Sequence, residues 1–320
     1  MSKLIIQIPC YNEEETLGIT LSALPRKVAG VDKVEWLIVD DGSTDGTVEL
    51  GRARGADHII RLPQHQGLAK AFMAGLEASL KAGADIVVNL DADNQYCADD
   101  IPKLIAPILS GKAEIVVGIR PISEVKHFSL VKKFLQKLGS RAVRFASKTD
   151  IPDAPSGFRA MSRGAAMRLN VFNEHTYTLE MIIQAGQKGM AIASVPIRIN
   201  EDLRPSRLVK SIPNYILRSV FTIVRIFMTY RPFRFFAIPG IVSFGLGLLI
   251  GFRYLYFYFT GHGSGHVQSL ILAALLLGAG FFLGVIGLLA DLISVNRKLL
   301  ENIDWRLQQI EKKIEKNGHG

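Results

Sequence analysis

Cysteine is scarce in this chain: only Cys10 and Cys97 occur among 320 residues. Two thiols are too few for a disulfide framework and stand in no metal-ligand spacing, so a reducing cytosol suits the protein. A leader is also missing. Met1 runs directly into Lys3-Leu4-Ile5-Ile6-Gln7-Ile8, which is too short for the apolar core of a secretory signal and reads as a first strand, so the head is expected to stay unexported. Neither an internal repeat nor a low-complexity tract occurs, which excludes a repeat array. Acidic residues are scarce in one stretch and missing from another. From Arg120 to Lys148 eight Lys and Arg stand against the single acid Glu124, and from Arg204 to Arg234 seven stand against none. The formal net charge of +9 is therefore unevenly placed. Both basic runs interleave with bulky apolar residues and the second adjoins an apolar span, so an anionic bilayer surface is the expected partner and nucleic acid is not.

What the chain has in excess is hydrophobicity, at 48% of residues and a mean hydropathy of +0.23, concentrated in its last third. Phe235 to Phe252 is a run of 18 uncharged residues and Val267 to Ala290 one of 24. About 20 apolar residues cross a bilayer core, so we expect two transmembrane helices near 235–258 and 267–290. The linker Thr260 to Gly265 carries no Lys or Arg, whereas Arg231, Arg234, Arg297 and Lys298 flank the outer ends. The positive-inside rule then places both ends in the cytoplasm, making this an integral membrane protein with a cytoplasmic head and tail. The expected divisions are a head at 1–210, juxtamembrane helices at 211–234, the two spans within 235–290, and an amphipathic tail at 291–320. In the tail, Leu300, Ile303, Leu307, Ile310 and Ile314 alternate spacings of three and four, a short heptad seam that either joins copies into a homo-oligomer or lies on the membrane.

The head alternates short apolar runs with helical patterns, which predicts an α/β fold on a mostly parallel, Rossmann-like sheet. Strands are expected at 3–8, 34–40, 57–61, 85–90, 113–119, 157–161 and 190–199. Helices are expected at 13–24, 46–54, 67–82, 99–109, 125–147 and 176–188. In such sheets ligands gather beyond the carboxyl ends of the strands. Three polar turns converge there. Asp91-Ala92-Asp93 follows the apolar run Ile86-Val87-Val88-Asn89-Leu90, and with Asn94 and Gln95 it offers the hard oxygens that Mg²⁺ or Mn²⁺ takes while also holding diphosphate. Solvated acidic turns look the same in isolation. Asp40-Asp41-Gly42-Ser43-Thr44-Asp45 ends the second strand; its side chains suit a helix cap, yet two consecutive aspartates exceed that need and leave one free to accept hydrogen bonds from a base or ribose. Pro9-Cys10-Tyr11-Asn12-Glu13-Glu14 ends the first strand.

Five stretches, IPCYNEEETL at 8–17, VDDGSTDGT at 39–47, HQGLAKAF at 65–72, DADNQY at 91–96 and SGFRAMSR at 156–163, together resemble the family 2 inverting glycosyltransferases of GT-A fold over roughly residues 3–210. With two spans behind the head, the chain looks most like the polyprenyl-phosphate glycosyltransferases, which include bactoprenol glucosyltransferases and dolichol-phosphate mannose synthases. The resemblance implies that Pro9, Tyr11, Glu13 and Asp41 line the nucleoside pocket of a UDP- or GDP-sugar. It puts Asp91 on the sugar or ribose side, Asp93 and Gln95 at the metal and diphosphate, and Asp153 near the reacting centre, so that Asp91, Asp93 and Asp153 form the catalytic set. His65 departs from the family, which usually has Asn there.

A lipid monophosphate acceptor is already anionic at neutral pH, its second pKa being about 6, so little work is left for a base and Asp153 is expected to orient more than to abstract a proton. The attacking phosphate needs cations, and Arg204, Ser206 and Arg207 offer a fork beside the membrane; lipid headgroups are their other natural partner. Arg120 and Lys132 are further candidates. Two rival readings are a processive polysaccharide synthase and an inactive membrane scaffold. The first needs a Gln-x-x-Arg-Trp acceptor motif, and neither Trp36 nor Trp305 stands in one. The intact acidic turns speak against the second.

Overall fold

The computed structural model describes residues 2–121, 144, 147, 149–171, 177–201, 221, 224–225, 227–261 and 263–318. The expected helix over 125–147 therefore lies outside the described residues except at Arg144 and Ser147, which are helical. Two compact units are present, residues 1–221 and 222–320.

In the first unit the chain runs β1 (Lys3–Cys10), α1 (Glu14–Ala23), β2 (Lys33–Asp40), α2 (Thr47–Ala53), β3 (His58–Arg61), α3 (Leu68–Lys81), β4 (Ile86–Asn89), α4 (Ile101–Leu109), β5 (Ile115–Ile119), β6 (Arg159–Ser162), α5 (Arg163–Arg168), α6 (Tyr177–Gln187) and β7 (Ile192–Pro196). The strands form one sheet of order β3-β2-β1-β4-β6-β5-β7. β1 pairs in parallel with both β2 and β4, and everything from Leu4 to Cys10 is buried, as an interior strand covered on both faces must be. Leu4, Ile6 and Ile8 pack with Leu17 and Leu21 of α1 and with Ile101, Leu104 and Ile105 of α4 in the main core. The expected mostly parallel α/β class holds.

One strand runs the other way. β6 lies between β4 and β5, antiparallel to both, with Arg159 opposite Asn89. Its reversal matters for placement. The carboxyl ends of β1, β2, β4 and β5 share one edge of the sheet, and because β6 is inverted, the loop that precedes it, residues 153–158, arrives at that same edge.

The second unit contains α7 (Pro232–Phe259) and α8 (Val267–Gly318). Pro232–Phe259 and Val267–Arg297 are long and apolar enough to cross a membrane, with mean hydropathies of 2.1 and 2.5 in their most apolar windows. Glycines let the two helices approach closely. A Cβ on Gly280 would stand 2.8 Å from the Gly240 carbonyl oxygen and from Phe244 Cβ, and one on Gly247 would stand 2.9 Å from Leu277. Ser243 Oγ donates to the Leu276 carbonyl at 2.9 Å across the same seam. α8 runs unbroken to Gly318, so the expected span and the expected tail are one helix.

Candidate active site at the carboxyl edge of the sheet

The loops after β1 and β2 are laced together by their own polar groups. Asn12 N–H donates to Ser43 Oγ at 2.9 Å while Thr44 N–H donates to Asn12 Oδ1 at 2.9 Å. Glu13 N–H donates to Thr47 Oγ1 at 2.9 Å and Gly46 N–H to Glu14 Oε2 at 3.0 Å. Asn12 adopts a positive φ of 53°, a conformation that Asn tolerates better than most residues. The expected crevice wall is thus a rigid double turn. Cys10 lies buried behind it. Burial raises its thiol pKa, and Glu13, Asp40, Asp45 and Asp91 add to the rise by converging on it.

Asp40 and Asp41 are tied into the loops around them. Asp40 accepts from Ser43 N–H at 3.0 Å and faces Arg61 Nε at 3.2 Å. Asp41 is buried, and its two oxygens accept from Gln66 N–H and Gly67 N–H at 2.8 Å each, with His65 Nδ1 also at 2.8 Å. Both carboxylates are engaged by the adjoining turns, although Asp40 Oδ2 accepts no hydrogen bond among the described residues. The reason is local. The 65–67 turn has unpaired backbone N–H groups that a buried carboxylate satisfies. Gly42 makes the approach possible, because its φ is +74° and a Cβ there would sit 2.7 Å from the Gln64 backbone. The docked turn brings His65 onto Tyr11, their rings stacked at 3.9 Å between centroids. Tyr11 and His65 make a partly exposed aromatic platform beside Pro9 and Glu13.

The acidic turn after β4 is clamped from two sides. Asp93 Oδ1 accepts from Gln95 N–H at 3.1 Å around Asn94, whose φ is +56°. From beyond β7, Asn200 Nδ2 donates to the Asn94 carbonyl at 2.8 Å, and Asn200 N–H donates to the Gln95 carbonyl at 2.9 Å. Asp91 packs against Gly157, where a Cβ would stand 2.6 Å from Asp91 Oδ2; only glycine fits that contact. Loss of solvent and the neighbouring charge of Asp93 push the Asp91 pKa up to about 7, against the lowering influence of Arg120 and Arg159.

Asp153, fully buried, is held in a fork by Arg120: Nε to Oδ2 at 2.8 Å, Nη2 to Oδ1 at 2.9 Å, and the Arg120 backbone N–H to Oδ2 at 3.2 Å. Burial by itself lowers the Arg120 pKa, but the hydrogen bonds to Asp153 outweigh it and hold the guanidinium above its ordinary value. Arg159 is fully buried and donates to the carbonyls of Ser156 at 2.7 Å, Thr178 at 2.6 Å and Ala154 at 2.5 Å. Beneath it a buried chain runs from Gln7 Nε2 to Asn89 Oδ1 at 2.9 Å and from Asn89 Nδ2 to Tyr177 Oη at 2.9 Å. Tyr96 Oη accepts from Gly157 N–H at 3.0 Å. These groups fix the 153–158 loop under Asp91.

The residues singled out in the sequence at 9–13, 41, 91–95 and 153 therefore stand on neighbouring turns of one edge. Arg204, Ser206, Arg207 and Lys132 lie outside the described residues. Sequence reading missed Asn200 as a clamp, and Arg159 and Asn89 as buried supports; the visible signal was the amide that closes the otherwise apolar strand IVVN and the charge that opens RAMS. Among the described residues no three acidic, His or Cys side chains cluster as a metal cage. Two carboxylates on one desolvated turn nevertheless fit a divalent cation, since Mg²⁺ is ordinarily held by one or two carboxylates completed by substrate phosphates, and the crowding that raises Asp91 is what a cation relieves.

A family model described as glycosyl transferase family 2 matches residues 5–169. The chain is 29% identical over 204 residues to the undecaprenyl-phosphate mannosyltransferase of Micrococcus luteus, covering 61% of this chain and 82% of that one. It is 32% identical over 216 residues to the UDP-N-acetylglucosamine-dolichyl-phosphate N-acetylglucosaminyltransferase of Methanococcus voltae, covering 60% and 83%. Among solved structures, glucosyl-3-phosphoglycerate synthase from Mycobacterium tuberculosis in complex with Mn²⁺, uridine diphosphate and phosphoglyceric acid superposes with a TM-score of 0.54 at 21% identity, over 69% of this chain and 78% of that one, a likeness of fold. With more than half of its 320 residues matched and a GT-A-like sheet carrying the acidic turns, the chain belongs to glycosyl transferase family 2.

Proposed function

We propose that the protein transfers a hexose-like sugar, with inversion, from a UDP- or GDP-sugar to a polyprenyl phosphate at the cytoplasmic face of a membrane. The observation that carries the reading is the placement of Asp91 and Asp93 on one clamped turn with the Arg120–Asp153 fork on a neighbouring loop of the same sheet edge. Carboxylates for the donor and cations for an anionic acceptor meet at one sheet edge. The names of the Micrococcus and Methanococcus relatives both specify a polyprenyl or dolichyl phosphate acceptor, and the two apolar helices supply the membrane at which such a lipid resides.

In this reading Tyr11 and His65 stack against the base, with Pro9 and Glu13 beside them, and Asp41 acts by holding the 65–67 turn. Asp93 and Gln95 hold Mg²⁺ or Mn²⁺, which offsets charge on the leaving diphosphate when bound. Mn²⁺ in the mycobacterial structure supports the choice of ion. Asp91 faces the sugar. Asp153, already forked onto Arg120, is a positioning residue for that guanidinium. The attacking phosphate needs no base, since it arrives ionised. Arg204, Ser206 and Arg207 hold it; three residues separate Arg204 from Asn200, so their Cα atoms are at most ~14 Å apart.

The test separates donor from acceptor. Arg207→Ala is expected to cut transfer to a short-chain polyprenyl phosphate by roughly 10- to 100-fold, the loss of one charge-assisted hydrogen bond, while calorimetry finds nucleotide-sugar affinity unchanged. Arg207→Lys recovers part of the loss. Equal losses in both measurements, or in neither, contradict an acceptor role for this segment.

A further inference from the structure

α8 does not end where its apolar window ends. Its uncharged run closes at Ala290, and the helix continues to Gly318, a further ~40 Å at 1.5 Å per residue. On this extension Leu300, Ile303 and Leu307 are 66%, 54% and 53% exposed. Three large aliphatic residues so exposed on one helix need a cover, and two candidates exist, a membrane surface and another protein chain.

The continuity of the helix decides between them. A segment that lies on a membrane after crossing it must turn through a large angle, and sharp helix bends occur at Pro, Gly, π-bulges or inserted groups. From Leu288 to Asn317 the sequence has neither Pro nor Gly, and α8 is one α-helix throughout. The extension therefore leaves the bilayer along the axis of its span and carries its apolar seam into water. This step rests on the membrane-spanning reading of α8.

The pattern of the seam then names the partner. Leu300, Leu307 and Ile314 occupy a positions of a heptad, and Ile303 and Ile310 occupy d positions. Register places Arg306 and Lys313 at g, and Asp304 and Glu311 at e. In a parallel pair each g position meets the e position of the following heptad, here Arg306 with Glu311, which is attractive. In an antiparallel pair g meets g and e meets e, which sets like charges together. Copies in one membrane also emerge on the same side and are parallel by necessity. Leu at a with Ile at d favours three or four strands over two. We infer that residues 298–318 form a parallel, in-register coiled coil of three or four copies of this chain.

The experiment uses the full chain in mild detergent. Native mass spectrometry is expected to find three or four 35.2 kDa protomers. Arg306→Glu reduces the oligomer fraction at fixed concentration by about fivefold or more, as a repeated charge clash does, and Arg306→Glu with Glu311→Arg restores it. In membranes, Ile303→Cys forms a disulfide with its own copy under mild oxidation, whereas Trp305→Cys, at an f position of the heptad register, does not. A monomer or dimer in the wild type, a double reversal that fails to restore assembly, or equal crosslinking at 303 and 305 overturns the inference. Release of the wild-type protein from membranes by alkaline carbonate overturns the spanning reading instead, and the mass measurement still judges the self-association.

Discussion

Asp91 shows how a single side chain couples the site to stability. Burial, reinforced by Asp93, pushes its pKa up to about 7, whereas in the unfolded chain it titrates near ~4. Between those values the folded protein binds more protons than the unfolded one, so metal-free stability falls as pH rises from about 4 through 7. Asp91→Asn removes the penalty. Its melting temperature in chelator is expected to exceed that of the wild type by roughly 3–5 °C at pH 8 and to match it at pH 4, a shift of the size that one or two kcal/mol produces. Equal differences at both pH values, read by differential scanning calorimetry, contradict the account. Asp153 illustrates the opposite arrangement. Its charge is matched by Arg120 through two side-chain bonds, which suits a group that positions its neighbour.

At the scale of elements, the seven expected strands all occur within a few residues, because short continuous apolar runs such as Leu4-Ile5-Ile6 report a strand covered on both faces. Their order was not legible in the sequence. Local pattern carries no pairing information, so nothing in RAMS at 159–162 announces a reversed strand between β4 and β5. The same blindness hid the Arg120–Asp153 fork, whose partners are 33 residues apart, and the capture of the 65–67 turn by Asp41. The acidic turns themselves were legible, since their chemistry lies within five consecutive residues. The helical pair was visible as two apolar runs, whereas its packing depends on which glycines face inward. Gly280 does and Gly284 has no heavy atom within 4 Å of an added Cβ. Gly280→Val is expected to lower the thermal stability of the α7–α8 unit by about 1–3 kcal/mol through overpacking, and Gly284→Val to leave it within about 0.5 kcal/mol. Thermal unfolding followed by accessibility of a thiol placed on α7 measures both; equal effects contradict the seam.

For the whole molecule, charge placement and span count make one topology. Arg231, Arg234, Arg297 and Lys298 flank the spans on their outer ends, so Gly263 is expected on the far side of the membrane and Lys312 in the cytoplasm with the head. A cysteine at each position labels from opposite sides of sealed vesicles under this account; labelling from one side contradicts the hairpin. The central claim is chemical and is tested most directly by product. Full-length protein reconstituted with a short-chain polyprenyl phosphate is offered UDP- and GDP-sugars in Mn²⁺ or Mg²⁺, and the lipid fraction is read by mass spectrometry. The account predicts a polyprenyl-phosphate-sugar from the wild type, its loss on chelation, and at least a ~100-fold slower appearance from Asp93→Asn, as removal of a charge-stabilising group produces, with the circular dichroism spectrum unchanged. Formation of that product at the wild-type rate by Asp93→Asn, or no lipid-linked product with any donor that the wild type is shown to bind, would contradict it.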